Sequence, residues 1–366
     1  MDHRIRKHAQ ALMQYSLALK PGQKVQLQGS AEAMPLIREC CREALALGAH
    51  PLAKLTHEEL TEVLLKQGSL EQIKHVPEPD LVTVKTFDAM LTVMGSVNTR
   101  IFSNVDPQRL KWQSQGMGEL RKIMFERMGS GQLKWCGTLY PTTANAQEAS
   151  MSLEEYQDFV YGACLLDDPD PVARWREING QQERICQVLN GKSRLRIVSA
   201  DTDLSLSVKG RTWVNCSGQA NFPDGEVFTS PVEDSAEGAI RFSFPGIYGG
   251  REVEDIRLEF KKGKVVKATA AKGQELLLQL LDTDPGARFL GEVAVGTNYN
   301  IRRFTRNMLF DEKIGGTAHL AIGRAFPEAR GKNESAIHWD MLCDMKSGGK
   351  IFADDQIVYQ DGKFTI

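Results

Sequence analysis

Lys24-Val-Gln-Leu-Gln-Gly29 reads as a strand, Ala31 to Leu47 as a helix with apolar residues at helical spacing that ends at Gly48, and Pro51 to Leu55 as a second strand. Glu58 to Lys66 is helical again. Ala89-Met-Leu-Thr-Val-Met-Gly95 is a short, nearly all-apolar run of the kind a buried parallel strand uses. The order βαβαβ predicts an open sheet covered by helices.

Working outward, Pro107 to Met128 is expected to be helical and Leu133 to Tyr140 a strand, and Ser152-Leu-Glu-Glu155 is a capping box that opens another helix. Asp168-Pro-Asp-Pro171 breaks that helix, and a polar helix runs from Pro171 to Leu189. After Ser193 the texture changes to short β-like runs: Arg194 to Ser199, Leu204 to Val208, Thr212 to Asn215, Ala239 to Phe244, Val253 to Phe260 and Lys264 to Ala270. One helix, Gly273 to Asp282, interrupts them. Lys262-Gly263 and Gly348-Gly349 are placed as hairpin turns. The expected architecture is an α/β open-sheet domain over 1–191 and a β-rich α+β domain over 192–366 with a partly closed antiparallel barrel.

At 366 residues, 42% hydrophobic and 25% charged, the chain is long enough for a core in each half. Lys+Arg of 45 against Asp+Glu of 47 leaves a net charge of −2 with no basic run, which excludes nucleic acid and anionic lipid as expected partners. A charged start and no apolar run of about 18 residues point to a cytoplasmic protein rather than a membrane one. The seven cysteines are scattered with no C-x-x-C pair, so they are expected as buried small hydrophobes. Phosphate-loop, dinucleotide, nucleophile-elbow and H-E-x-x-H motifs are all absent.

What remains is a set of metal-ligand side chains in the last third: Glu226, Glu292, Glu312, His319, His338 and Asp340. In Ser335-Ala-Ile-His-Trp-Asp340 the histidine and aspartate lie two residues apart in a strand, on one face and about 6–7 Å apart at Cα. Singly, each residue has a structural explanation: Glu226 follows the turn Pro223-Asp-Gly225, and His319 sits among small and apolar neighbours as a satisfied core histidine would. Together, however, both late histidines and several carboxylates occupy contexts where an unpaired charge is costly. Four carboxylates balance two divalent cations, and two imidazoles add nitrogen ligands; without sulfur nearby, zinc, cobalt and manganese all suit the set. Such a pair, about 3.5–4 Å apart, does metal-assisted hydrolysis.

The stretches Asn221-Phe-Pro-Asp-Gly-Glu226-Val-Phe-Thr-Ser-Pro231, Leu290-Gly-Glu292, Leu309-Phe-Asp-Glu-Lys313, His319-Leu-Ala-Ile-Gly323 and Ser335 to Asp340 make the chain resemble the aminopeptidase T family of two-metal, leucyl-type exopeptidases over nearly its whole length. The resemblance implies a cytoplasmic homodimer with a β-rich catalytic second domain and an enclosed cavity for small peptides. It also implies Glu226, Glu292, Glu312, His319, His338 and Asp340 as metal ligands, with Glu292 bridging and catalytic. One position departs: where the family has a tyrosine that hydrogen-bonds the tetrahedral intermediate, this chain has Phe326, without the hydroxyl. Loss of such a donor costs about 10²–10³ in rate unless Tyr299 or Tyr248 substitutes. The spacing from Glu312 to His319 is also two residues longer than in better-known members. Two other readings stand beside the peptidase: a single-iron, ring-cleaving dioxygenase built on His319, His338 and Asp340, and a weakly active peptide-binding homologue.

Overall fold

The computed structural model describes residues 2–366. The chain forms two compact units, one of residues 1–175 and 218–223 and the other of residues 176–217 and 224–366. The division therefore falls inside the helix Pro171–Asn190 rather than at residue 191, because that helix is shared: Trp175 donates to the Cys164 carbonyl in the first unit, while Gln182 bonds residues of the second.

In the first unit, β1 (Lys24–Ser30), β2 (His50–Thr56), β3 (Ala89–Met94) and β4 (Lys134–Leu139) are all parallel in the order β2-β1-β3-β4, as the alternating pattern predicts. The helix Met34–Ala46 between β1 and β2 stops where Gly48 takes φ +75, and the amides of Gly48 and Ala49 return to the carbonyls of Leu45 and Ala44. Pro107 to Met128 is two helices, Pro107–Gly116 and Gly118–Gly129, instead of one. The capping box at Ser152 and Glu155 is present. The buried His8 ring lies 2.9 Å from Thr138 Oγ1, which donates to the Phe222 carbonyl.

The second unit begins with β5 (Arg194–Ser199), β6 (Thr202–Ser207) and β7 (Val214–Cys216). The chain returns briefly to the first unit, where β8 (Asn221–Phe222) adds a fifth parallel strand beside β4. It then continues as β9 (Glu226–Thr229), β10 (Glu237–Arg241), β11 (Gly246–Tyr248), β12 (Arg251–Val253), β13 (Arg257–Lys261), β14 (Lys264–Thr269), β15 (Leu290–Gly296), β16 (Thr317–Gly323), β17 (His338–Asp344), β18 (Lys350–Ala353), β19 (Gln356–Gln360) and β20 (Lys363–Phe364). These make an eight-stranded antiparallel sheet, β14-β13-β10-β6-β5-β18-β19-β20, a five-stranded one, β17-β16-β15-β9-β7, and the ribbon β11-β12. In place of the expected partly closed barrel the two larger sheets stay open, each with two edge strands among the described residues.

One apolar core joins the two sheets. It takes Leu195, Ile197, Leu204, Ile240 and Leu258 from the larger sheet, Val293, Val295, Leu320 and Met341 from the smaller, and Leu277 and Leu281 from the helix Gln274–Leu281. Lys262-Gly263 turns β13 into β14 as expected. Gly348-Gly349 is not a hairpin turn: β17 and β18 belong to different sheets, so the glycines carry the chain between layers. The hairpin instead lies at Asp354-Asp355, both with positive φ, between β18 and β19. All seven cysteines are free, five of them buried.

Candidate metal centre

The five-stranded sheet separates core from chemistry by strand alternation. On β16, Ala318, Leu320 and Ile322 enter the core, so His319 projects from the opposite face; on β17, Trp339, Met341 and Cys343 enter it, so His338 and Asp340 project likewise. Val227 places Glu226 on that second face from β9. Burial of the apolar face pins this register, because a one-residue slip would exchange every side chain.

Glu292 reaches the same face through an irregularity. Leu290 opposes Ile322 and Glu292 opposes Ala321, so Gly291 is an extra residue, and the bulge turns Glu292 away from the core that Leu290 enters. Only glycine fits there: a Cβ at 291 would lie 2.3 Å from the Arg324 carbonyl oxygen. That same carbonyl, 2.7 Å from His338 Nδ1, accepts the ring N–H and turns Nε2 toward the carboxylates. The backbone at Arg324 thus serves both side chains.

Four of the distances define the centre. His319 Nε2 lies 3.1 Å from Glu226 Oε2 and 3.7 Å from Glu292 Oε1. His338 Nε2 lies 3.3 Å from Glu292 Oε2 and 3.4 Å from Asp340 Oδ1. The side chains fall into two groups, Glu226/Glu292/His319 and Glu292/His338/Asp340, with ligand atoms within 4.8 Å of one another in each. Glu292 belongs to both and offers one oxygen to each. Neighbouring donors around a tetrahedral ion with bonds near 2.0–2.1 Å are about 3.3 Å apart, which these separations match. Glu226 Oε2 and Asp340 Oδ1 are buried and face only the imidazoles of His319 and His338, while His319 Nδ1 takes no hydrogen bond among the described residues. Buried carboxylate oxygens paired only with imidazoles suit cation ligands.

The electrostatics agree. Burial opposes charge on His338, yet Asp340 and Glu292 outweigh it and push its pKa up to about 11; Glu226 and Glu292 hold His319 well above the usual imidazole range against the same penalty. Burial would raise the carboxyl pKa values of Glu226 and Asp340, but Lys313 and His319 for the former, and His338 for the latter, hold both below the ordinary range. Each place in the centre therefore attracts positive charge.

Glu312, at the end of the short helix Met308–Asp311, lies outside both ligand groups. Burial pushes its pKa up while Lys313 pulls it down, and its carboxylate bonds the ammonium of the fully buried Lys313, which also lies 3.7 Å from Glu226 Oε1. Lys313 was legible in the sequence only as a lysine entering the apolar run Lys313-Ile-Gly-Gly-Thr-Ala. Gln182, equally unforeseen, is buried with Nε2 within 2.8 Å of the Glu226 carbonyl, 2.9 Å of the Cys216 carbonyl and 2.9 Å of Asn215 Oδ1, tying β7 and β9 together. A third cluster, Cys216, Asp224 and Glu226, shares Glu226 with the first group. The ring of Phe326 packs 4.8 Å from that of His338 and 5.3 Å from that of Phe228, beside the ligands. Neither proposed substitute hydroxyl stands free at that place: Tyr299 donates to the Gly362 carbonyl at 2.9 Å, and the Tyr248 ring packs on Trp339, on the core side of β17. His319 and His338 fall in different groups, so the three ligands of the single-iron reading do not surround one point among the described residues.

A fold of this kind with buried carboxylate–imidazole groups defines a protein that could hold metal ions. The sequence pattern of the peptidase M29 family, described as "Thermophilic metalloprotease (M29)", matches residues 1–364, and the chain belongs to that family: it is a metallo-aminopeptidase, a hydrolase. It is 29% identical to aminopeptidase 2 of Geobacillus stearothermophilus, over 92% of this chain and 90% of the relative, and 27% identical to aminopeptidase T of Thermus thermophilus, over 99% and 96%. The solved wild-type AmpT from Thermus thermophilus superposes with a TM-score of 0.87 at 25% identity, covering 99% of both chains. Among the described residues no helix is long and apolar enough to cross a membrane.

Proposed function

We propose that this chain removes the N-terminal residue of small peptides, using two divalent ions held by Glu226, Glu292, His319, His338 and Asp340. The observation that carries this reading is the division of the Glu292 carboxylate, Oε1 toward His319 and Oε2 toward His338, which is how a bridging ligand stands between two ions. Ions held there supply Lewis acidity, polarising a peptide carbonyl and lowering the pKa of water toward neutrality. Zinc, cobalt and manganese all suit mixed carboxylate–imidazole donors.

The protein's own residues do the rest. A carboxylate oxygen of Glu292 or Glu226 left free by the ions would accept the proton of the attacking water and return it to the departing amine. The Phe326 ring shields His338 from solvent but offers no hydroxyl to the developing oxyanion, so turnover is expected to be slower than with tyrosine. A cytoplasmic homodimer is part of the same reading.

Elemental analysis combined with a panel of aminoacyl chromogens tests it. Two zinc, cobalt or manganese ions per chain with hydrolysis are expected, and His338→Ala or Asp340→Ala should lose both metal and activity. One iron would favour the dioxygenase, no metal the peptide binder, and full activity in either variant would end the proposal.

A further inference from the structure

Lys313 is the one fully buried ammonium at the centre among the described residues, and the ligand groups do not account for it. Its Nζ bonds the Glu312 carboxylate and lies 3.7 Å from Glu226 Oε1, while the other oxygen of Glu226 faces His319 at 3.1 Å. A buried ion pair is retained only where both charges stay satisfied, and here a second carboxylate, Glu226, completes the arrangement. Glu312, the sixth ligand implied by the resemblance, is therefore occupied before any ion arrives.

We propose that Lys313 is the resident cation of this centre: it holds Glu312 as its counter-ion and takes the outer oxygen of Glu226, so that five side chains rather than six bind divalent ions. Lys313 is a positioning residue on this view, setting which oxygen Glu226 presents. It also repels an ion placed beside Glu226, as like charges at short range do. The inference rests on the two-ion reading above but is separable from it.

The test is calorimetric titration of the chelator-stripped full chain with cobalt alone, and separately with zinc alone, alongside elemental analysis after dialysis. The proteins are wild type, Glu312→Gln, Lys313→Met and the double variant. Glu312→Gln is expected to keep the wild-type number of ions with Kd changed by less than about threefold, since a true ligand would cost about tenfold or more. Lys313→Met should bind more tightly, by about tenfold or more, because it removes a repelling charge and frees Glu312 as an added donor. The double variant, in which no carboxylate is left unpaired, should fold even if Lys313→Met does not, and should bind more tightly than wild type. Loss of an ion in Glu312→Gln, or weaker binding in the double variant, overturns the inference while leaving the metal centre intact. A wild-type chain that binds no divalent ion overturns the two-ion reading itself.

Discussion

Gly291→Ala places a single methyl group where the structure leaves no room. The added Cβ would lie 2.3 Å from the Arg324 oxygen and 2.6 Å from the Arg324 carbon and the Gly323 oxygen, all backbone atoms. Carbon and carbonyl oxygen rest about 3.3 Å apart at closest, so β15 and the 323–324 backbone must separate by about 1 Å. Overpacking of this kind costs about 1–3 kcal/mol, equivalent to about 3–10 °C in Tm for a unit of this size. The functional loss should exceed the stability loss. Glu292 stands next to the bulge and the Arg324 carbonyl anchors His338, so two of the five proposed ligands shift together, and a displacement of 1 Å costs about 10² in rate. Calorimetry on the chelator-stripped protein isolates the packing cost, and kcat on an aminoacyl chromogen with saturating metal reads the displacement. Gly162→Ala is the control, since nothing lies within 4 Å of its added Cβ. Wild-type Tm and kcat in Gly291→Ala would refute the account of the bulge and with it the placement of Glu292.

Phe326→Tyr should raise kcat by about tenfold or more with little change in Tm, because the ring site is kept and Tyr299 and Tyr248 are engaged elsewhere; an unchanged kcat shows that no donor is missing. Chelation should lower the Tm of the protein, with zinc, cobalt or manganese restoring it, because ions that bind only the folded centre stabilise it by mass action; a Tm indifferent to chelator argues against a buried centre. His8 is held to about pKa 3 by burial, so its contribution to stability is complete above the unfolded value of 6.5 and is lost as pH falls from there toward 3. Urea midpoints of the metal-stripped chain should decline over that window by at most about 1.4 kcal/mol per pH unit from this group, and His8→Leu should flatten the decline; an identical slope in the variant removes His8 as the cause.

Much of the first unit was legible because its signals are local. Apolar spacing, the capping box and Gly48 named helices and parallel strands within a few residues, and the parallel order followed from the connections. The misplaced features in the second unit arise where pairing is long-range. Gly348-Gly349 has hairpin composition, yet β17 and β18 pair with different partners; Asp354-Asp355 looks like ordinary surface charge until β18 and β19 meet. Likewise, nothing in the periodicity of Pro171–Asn190 says that its first turn packs in one unit and Gln182 in the other.

His338 and Asp340 were determined as a pair by the sequence itself, since residues two apart on a strand share a face whatever lies beside them. The face of β16 that carries His319 is set instead by the core, which takes Ala318, Leu320 and Ile322. Tertiary structure alone decided that β9, β15, β16 and β17 lie side by side, that the Gly291 bulge turns Glu292 between two histidines, and that Lys313 is buried against Glu312. Strand neighbours and bulges depend on backbone meeting backbone across about a hundred residues of chain, and such contacts leave no period in the sequence to read.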